Sequence, residues 1–152
     1  MKNKWLIILI ITTTGFAESF AQSSKVVPSE VQNAFNIQFA GAQKLKWQME
    51  EDGIWEAEFR QNGDELSATF AADGQWKETE TEIEKDELPA IINSVLQTKF
   101  MGMRIREAAI VQRPDLSHGF EVELRGGKDI TEVLLNDQGD IISQEKADND
   151  KN

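Results

Sequence analysis

The chain presents the same signals twice. Pro28, Phe39 and Gly41 recur 61 residues later as Pro89, Phe100 and Gly102. Glu56-Ala57-Glu58-Phe59-Arg60 recurs 65 residues later as Glu121-Val122-Glu123-Leu124-Arg125, and that offset holds to Gly74 and Gly139. The step from 61 to 65 marks a four-residue insertion in one loop. Self-similarity at a fixed period constrains the fold more than any other signal, because both copies must form the same unit. Two units of roughly 60 residues predict one two-fold domain.

The first 21 residues fall outside that pattern. Lys2 and Lys4 form a positive end, and Trp5-Leu6-Ile7-Ile8-Leu9-Ile10-Ile11 is a short apolar run. Ser19-Phe20-Ala21 puts small residues where a signal peptidase would cut before Gln22. Residues 1–21 therefore read as a secretory leader whose apolar run is too short to span a bilayer comfortably, and the mature protein as periplasmic or secreted without a stable membrane anchor. With no Cys in the chain, a lipid-anchored start, disulfides and thiolate metal sites are all excluded. Removing Lys2, Lys4 and Glu18 with the leader takes the net charge from −11 to −12. Such acidity excludes tracking of a nucleic-acid backbone and favours a basic or neutral partner.

Each copy opens with a helix. Val31, Ala34, Phe35 and Phe39 form one apolar stripe, and Ile92, Val95, Leu96 and Phe100 repeat it. Pro28 and Pro89 suit the first turn, while Gly41 and Gly102 sit past the end. Short alternating runs follow, separated by Asp52-Gly53, Asn62-Gly63, Asp73-Gly74, Gly126-Gly127 and Asn136-Asp137-Gln138-Gly139. Leu45, Trp47 and Met49 define a first strand. Trp55, Ala57 and Phe59 oppose Glu56, Glu58 and Arg60; Leu66, Ala68 and Phe70 oppose Ser67 and Thr69; Phe120, Val122 and Leu124 oppose Glu121, Glu123 and Arg125. Such alternation gives a sheet with one buried and one wet face. Fourth strands are expected near Gln75–Ile83 and Asp140–Glu145.

The expected fold is α+β: a tandem duplication of a helix plus four antiparallel strands, giving about eight strands with both helices on one face. Repeat 1 spans 26–83 and repeat 2 spans 84–146, forming one compact domain, with 147–152 as a disordered tail. Glu82-Ile83-Glu84-Lys85-Asp86-Glu87 connects the repeats, and the insertion falls in Arg113–Gly119, read as a loop.

The helix with its early Pro, the acidic alternating strand, the Gly-containing turn and the closing Asp-Gly resemble the PepSY-like repeats of exported bacterial proteins, a family described as β-lactamase-inhibitor-like for its fold. The resemblance covers about residues 26 to 146. It implies an α+β protein whose open sheet face engages another protein, as β-lactamase inhibitor protein does across a concave sheet. It implies no catalytic residue.

The chemistry-bearing residues are few. His118 is the one histidine, beside Ser117, and reads as a surface loop residue without an acid to orient it. Glu56/Glu58 and Glu121/Glu123 are spaced for one strand face, and Arg60 and Arg125 continue that face as a solvated charge ladder. Glycosidase chemistry would require these carboxyls to be buried and shifted. Asp73-Gly74 and Asn136–Asp140 lack the register of a calcium loop and read as turns, so neither metal nor cofactor is expected. Trp47, Trp55 and Trp76 read as core. The outer face would carry Ile54, Glu56, Glu58, Arg60, Glu121, Glu123, Arg125, Ile130, Glu132 and Leu134, apolar residues in a polar rim. The expected function is a non-enzymatic exported protein-binding module, an inhibitor or modulator of an envelope or secreted protein. A small-ligand or cation-binding periplasmic protein is the alternative.

Overall fold

The computed structural model describes residues 26–50 and 53–147. The expected leader, Asp52 and residues 148–152 lie outside the described residues. The elements run α1 (Ser29–Gln38), β1 (Gln43–Met49), β2 (Ile54–Gln61), β3 (Asp64–Ala71), β4 (Trp76–Glu82), a 3-10 turn (Lys85–Glu87), α2 (Ala90–Lys99), β5 (Arg104–Arg113), β6 (Leu116–Gly126), β7 (Asp129–Asn136) and β8 (Ile141–Ala147). All eight strands form one antiparallel sheet in sequence order. The fold is α+β, and each half is a helix followed by four strands.

The halves match in detail at their helix ends. Pro28 and Pro89 have ψ of 144° and 146° and lie just outside their helices, one residue earlier than the spacing predicts. An extended ψ lets their carbonyls accept the first helical bonds, from Gln32 and Asn93 N–H at 3.1 Å. Phe39 and Phe100 close the helices, and Gly41 and Gly102, at φ +88° and +87°, occupy the turns beyond. Only glycine takes that conformation at little cost.

Each half has its own apolar core. In the first, Val31 and Phe35 of α1 and Phe39 at its C-terminal cap pack on Trp55, Ala57, Phe59, Ala68 and Phe70, with Trp47 and Trp76 against its edge. The Phe35 ring meets Phe59 edge-on at 5.0 Å between centroids, a geometry that adds about 0.5–1.5 kcal/mol beyond burial. In the second, Leu88, Ile92 and Leu96 cover Ala108, Phe120, Val122, Leu124, Val133 and Leu135. The hairpin tip at Gly74 approaches Glu30 of α1, and the tip at Gly139 approaches Ile91 and Val95 of α2.

Bulges interrupt the simple alternation. One between Gln43 and Lys46, with Lys44 at φ +55°, turns Leu45 outward, so Leu45 is exposed rather than core. In β4 the register moves from Phe70↔Trp76 to Thr69↔Glu78, which leaves Lys77 unpaired. That bulge keeps Trp76 on the helix side and swings Glu78, Glu80 and Glu82 to the opposite face. The same shift occurs in β8, from Leu135↔Ile141 to Leu134↔Ser143.

Two boundaries differ from the sequence reading. The insertion builds no loop: β5 and β6 continue to a tight turn between Arg113 and Leu116, so Ser117, His118 and Gly119 lie in a strand. Added residues that alternate can pair with each other, and here they lengthen the hairpin. At the other end β8 includes Ala147, opposite Ile130, where a tail was expected from 147 on.

Candidate functional site: the helix-free face of the sheet

The strand register puts all ten outer-face candidates on the side away from the helices. Glu56 is opposite Thr69, Glu58 opposite Ser67 and Arg60 opposite Glu65. In the second half Glu121 faces Leu134, Glu123 faces Glu132 and Arg125 faces Ile130, while Ile54 faces Ala71. Glu78 and Glu80 join this face from β4, and Val111 and Ala109 from β5.

This face is a groove. A single cavity of about 620 Å³ touches Lys44 and Lys46 on β1 and Glu132 on β7. Six strand spacings separate β1 from β7, about 29 Å on a flat sheet, so the sheet curls around the cavity. Between those limits the cavity is lined by Glu58, Glu80, Glu82, Glu107, Glu121 and Glu123.

Burial corrects the expectation of a solvated ladder. Glu56 is 4 % exposed, Glu80 5 % and Leu134 1 %. Leu134 therefore offers a partner no apolar surface, and the middle of the face is a desolvated row of carboxyls. Removing a carboxylate from water favours its neutral form. Burial, then Glu50 and Glu58, push Glu56 up to about 7. Burial, then Glu78 and Glu132, push Glu121 up to about 8, partly opposed by Arg113. Burial, then Glu123 and Glu145, push Glu132 up to about 7. Glu80 is raised well above the ordinary range by burial and by Glu121 and Glu78. Glu107 is raised by burial and Glu123, against Arg106 and Lys85.

The cations are not placed as the ladder pattern predicts. Arg60 pairs with Glu65, and Arg125 donates to the Gly127 carbonyl at 3.2 Å. Glu123 is met by Arg106 at 3.2 Å and Glu78 by Arg113. Lys46 reaches Glu58 at 3.8 Å near the rim. Sequence reasoning missed Glu78, Glu80, Arg106 and Arg113. The alternating Glu78-Thr79-Glu80-Thr81-Glu82 was visible, but without the Lys77 bulge its carboxyls would be assigned to the core side.

His118 also sits differently. Its Nδ1 is 2.5 Å from Asp137 Oδ1, and its ring stands edge-on to Phe120 at 5.0 Å. An acid therefore does orient the ring, brought in by the β7–β8 turn. Ser117 precedes it in an extended strand and projects to the opposite side, so the two do not form a nucleophile and base. Among the described residues, no cluster of three His, Cys, Asp or Glu side chains is set to hold a metal ion. No helix among them is long and apolar enough to cross a membrane.

The sequence model of the family described as "Putative beta-lactamase-inhibitor-like, PepSY-like" matches residues 53–143. No match was found among curated proteins. A solved BLIP-like protein from Bacteroides fragilis has a TM-score of 0.70 at 20% identity, covering 85% of this chain and 94% of its own. A DUF2874 family protein from Bacteroides ovatus gives a TM-score of 0.70 at 19% identity, covering 80% and 89%. A structure described as putative periplasmic proteins from Bacteroides eggerthii gives 0.69 at 20% identity, covering 80% and 90%. At these identities the likeness is one of fold.

Proposed function

This chain belongs to the beta-lactamase-inhibitor-like, PepSY-like family, and from that premise we propose that it is an exported, non-enzymatic binding protein whose groove receives a basic segment of another protein. The observation that carries this reading is the groove itself: a curled sheet face, free of helices, whose centre is lined by carboxyls. An arginine or lysine entering it would find desolvated acceptors, where charge-assisted hydrogen bonds are strongest. Blocking the function of such a partner is the inhibitory form of the same reading. The apparent secretory leader and the periplasmic description of a solved relative support an envelope or secreted setting.

One observation speaks for binding over catalysis. His118 has Asp137 as an acid partner, but Ser117, its neighbour in the strand, projects to the opposite side.

The test is capture from native envelope extract with the mature chain from Gln22 on as bait. The control bait carries Glu58→Lys and Glu123→Lys. A partner held by the native bait and lost from the reversed one supports the groove as contact surface. Equal recovery by both baits removes it.

A further inference from the structure

The two halves share a sheet but not a core. The apolar cluster under α1 ends with residues of β1 to β4, and the cluster under α2 draws on β5 to β8. Between them the β4–β5 ladder pairs Thr79↔Gln112 through Glu82↔Ala109, and Ile83, just beyond β4, donates to the Ala108 carbonyl at 3.0 Å and packs against the second cluster. By comparison β2–β3 pairs from Ile54↔Ala71 to Gln61↔Asp64 without a break. On the helix side the seam is lined by Thr79 and Thr81 of β4 with Gln112 and Ile110 of β5. On the groove side it carries Glu80 against Val111, with the Glu78–Arg113 ion pair crossing it.

The charge at this seam does not balance. Glu78 pairs with the Arg113 guanidinium, which also acts on Glu121, and Glu80 lies close to both of these acids. One positive charge offsets one negative charge, so ionising all three acids leaves net negative charge in a poorly hydrated place. Glu121, Glu78 and Glu56 act on Glu80 directly, and the cavity it lines brings further charged groups from other strands. From β2 come Glu56 and Glu58, from β4 Glu78 and Glu82, and from β5 Glu107 beside Arg106 and Arg113. From β6 come Glu121 and Glu123, from β7 Glu132, and behind them Glu145 of β8. Lys44 and Lys46 stand at the β1 rim, Arg60 lines the β2 side with Glu65, and Lys85 lies beyond Glu107. Ser67, opposite Glu80 on β3, is uncharged.

We propose that the β4–β5 seam is a proton-operated joint: protons on the Glu80 and Glu121 carboxyls hold the two halves of the sheet together, and their loss lets the halves part and the groove widen. The inference goes beyond the binding reading and does not require it. When both groups ionise, Glu80 on β4 and Glu121 on β6 repel across the short ladder, and both gain by admitting water. Among the described residues the two apolar clusters are separate, and Ile83 is the apolar side chain next to β4 that reaches the second one. The halves separate as units because each helix stays packed on its own four strands. Glu121, raised to about 8 by burial and by Glu78 and Glu132, sets the neutral to mildly alkaline range in which the cluster begins to ionise.

The chain has no native cysteine, so two spin labels report one distance. Asp64→Cys at the β2–β3 tip and Lys128→Cys at the β6–β7 tip are exposed, one in each half. Electron–electron distances in the mature chain at pH 5 and pH 8.5 are expected to shift to longer values at the higher pH. In the same labelled chain with Glu80→Gln and Glu121→Gln, the distance should keep its acid value at both. An unchanged distance in the parent, or an equal shift in the glutamine variant, overturns the proposal. Should the glutamine variant fail to fold, amide exchange in the native chain decides. After correction for intrinsic rates, protection of the β4–β5 amides should fall about tenfold more than that of β6–β7 between the two pH values. Equal loss across both ladders overturns the joint.

Discussion

Replacing Glu121 by Gln should change how folding stability depends on pH. Glu121 is partly buried on β6, and its carboxyl is pushed from the ordinary 4.5 up to about 8 by burial and by Glu78 and Glu132. A raised folded-state pKa means the folded chain holds a proton that the unfolded chain gives up. Its stabilising contribution is complete below about 4.5 and lost as pH rises through about 8. One proton across three pH units corresponds to about 4 kcal/mol. Partial titration at both ends of the pH 5 to 8 window brings Glu121 alone to roughly 3–4 kcal/mol. Gln is the neutral isostere and does not titrate, so it should lack this slope. Urea unfolding at pH 5, 6, 7 and 8 in fixed salt measures it directly. The native chain should lose stability steadily towards pH 8. Glu121→Gln should match it at pH 5 and exceed it by a few kcal/mol at pH 8. Parallel curves would show that Glu121 is not a neutral acid in the fold, and would refute the picture of a desolvated carboxyl row.

Other perturbations separate the parts of the structure. Gly74→Ala should destabilise well beyond Gly41→Ala in thermal melts. Both glycines have positive φ, but only at Gly74 would a Cβ meet a backbone oxygen, Glu30 O at 2.7 Å, whereas Gly41 faces open space. Phe35→Ala removes a ring packed against Phe39, Trp47, Phe59 and Phe70 and should cost about 3–5 kcal/mol by chemical denaturation. Glu58→Lys loses only a 3.8 Å contact with Lys46 on an exposed rim. It should therefore stay within about 1 kcal/mol of the native chain at pH 7, which qualifies it as a folded control for partner capture.

The order and type of elements were legible because both copies carry the same start, stripe and stop signals, and local patterning suffices for these. The strands flanking Asn62-Gly63 also followed from residues alone: both turn residues have positive φ, +57° and +107°, as a two-residue hairpin requires. What could not be read depends on register. Leu45 is exposed because it lies within the bulge between Gln43 and Lys46, and no periodicity reveals where an unpaired residue will fall. Lys77 decides in the same way which face receives Glu78 and Glu80. The groove needed one further, non-local fact. Alternation assigns a residue to a face but says nothing of curvature, and curvature buries Glu56 and Leu134 on a face that period-two reasoning leaves wet.

That burial bears on why the chain keeps its acids. Buried ionisable groups are costly, and apolar or amide replacements of similar size commonly match or exceed their contribution to stability. The core side of this sheet follows that economy, with Thr79, Thr81 and Thr131 as its polar substitutes. The groove side does not: acids occupy Glu56, Glu80, Glu121 and Glu132, on four different strands, and neighbouring acids raise the affinity of each for protons. Near pH 7 Glu56 and Glu132, raised to about 7, are only partly ionised and Glu121, raised to about 8, is mostly neutral, so the row presents hydrogen-bonding carboxyls with a reduced field. A cation that enters lowers their pKa values and draws a negative charge onto each acid it touches. Binding of a basic segment should therefore release protons, in a number that falls as pH rises and the acids ionise unaided. Calorimetry of the captured partner in buffers of differing ionisation heat counts them. A heat that is independent of buffer at pH 6.5 would mean that the cation never reaches the carboxyl row, and would move the contact to the exposed rim at Glu58 and Arg60.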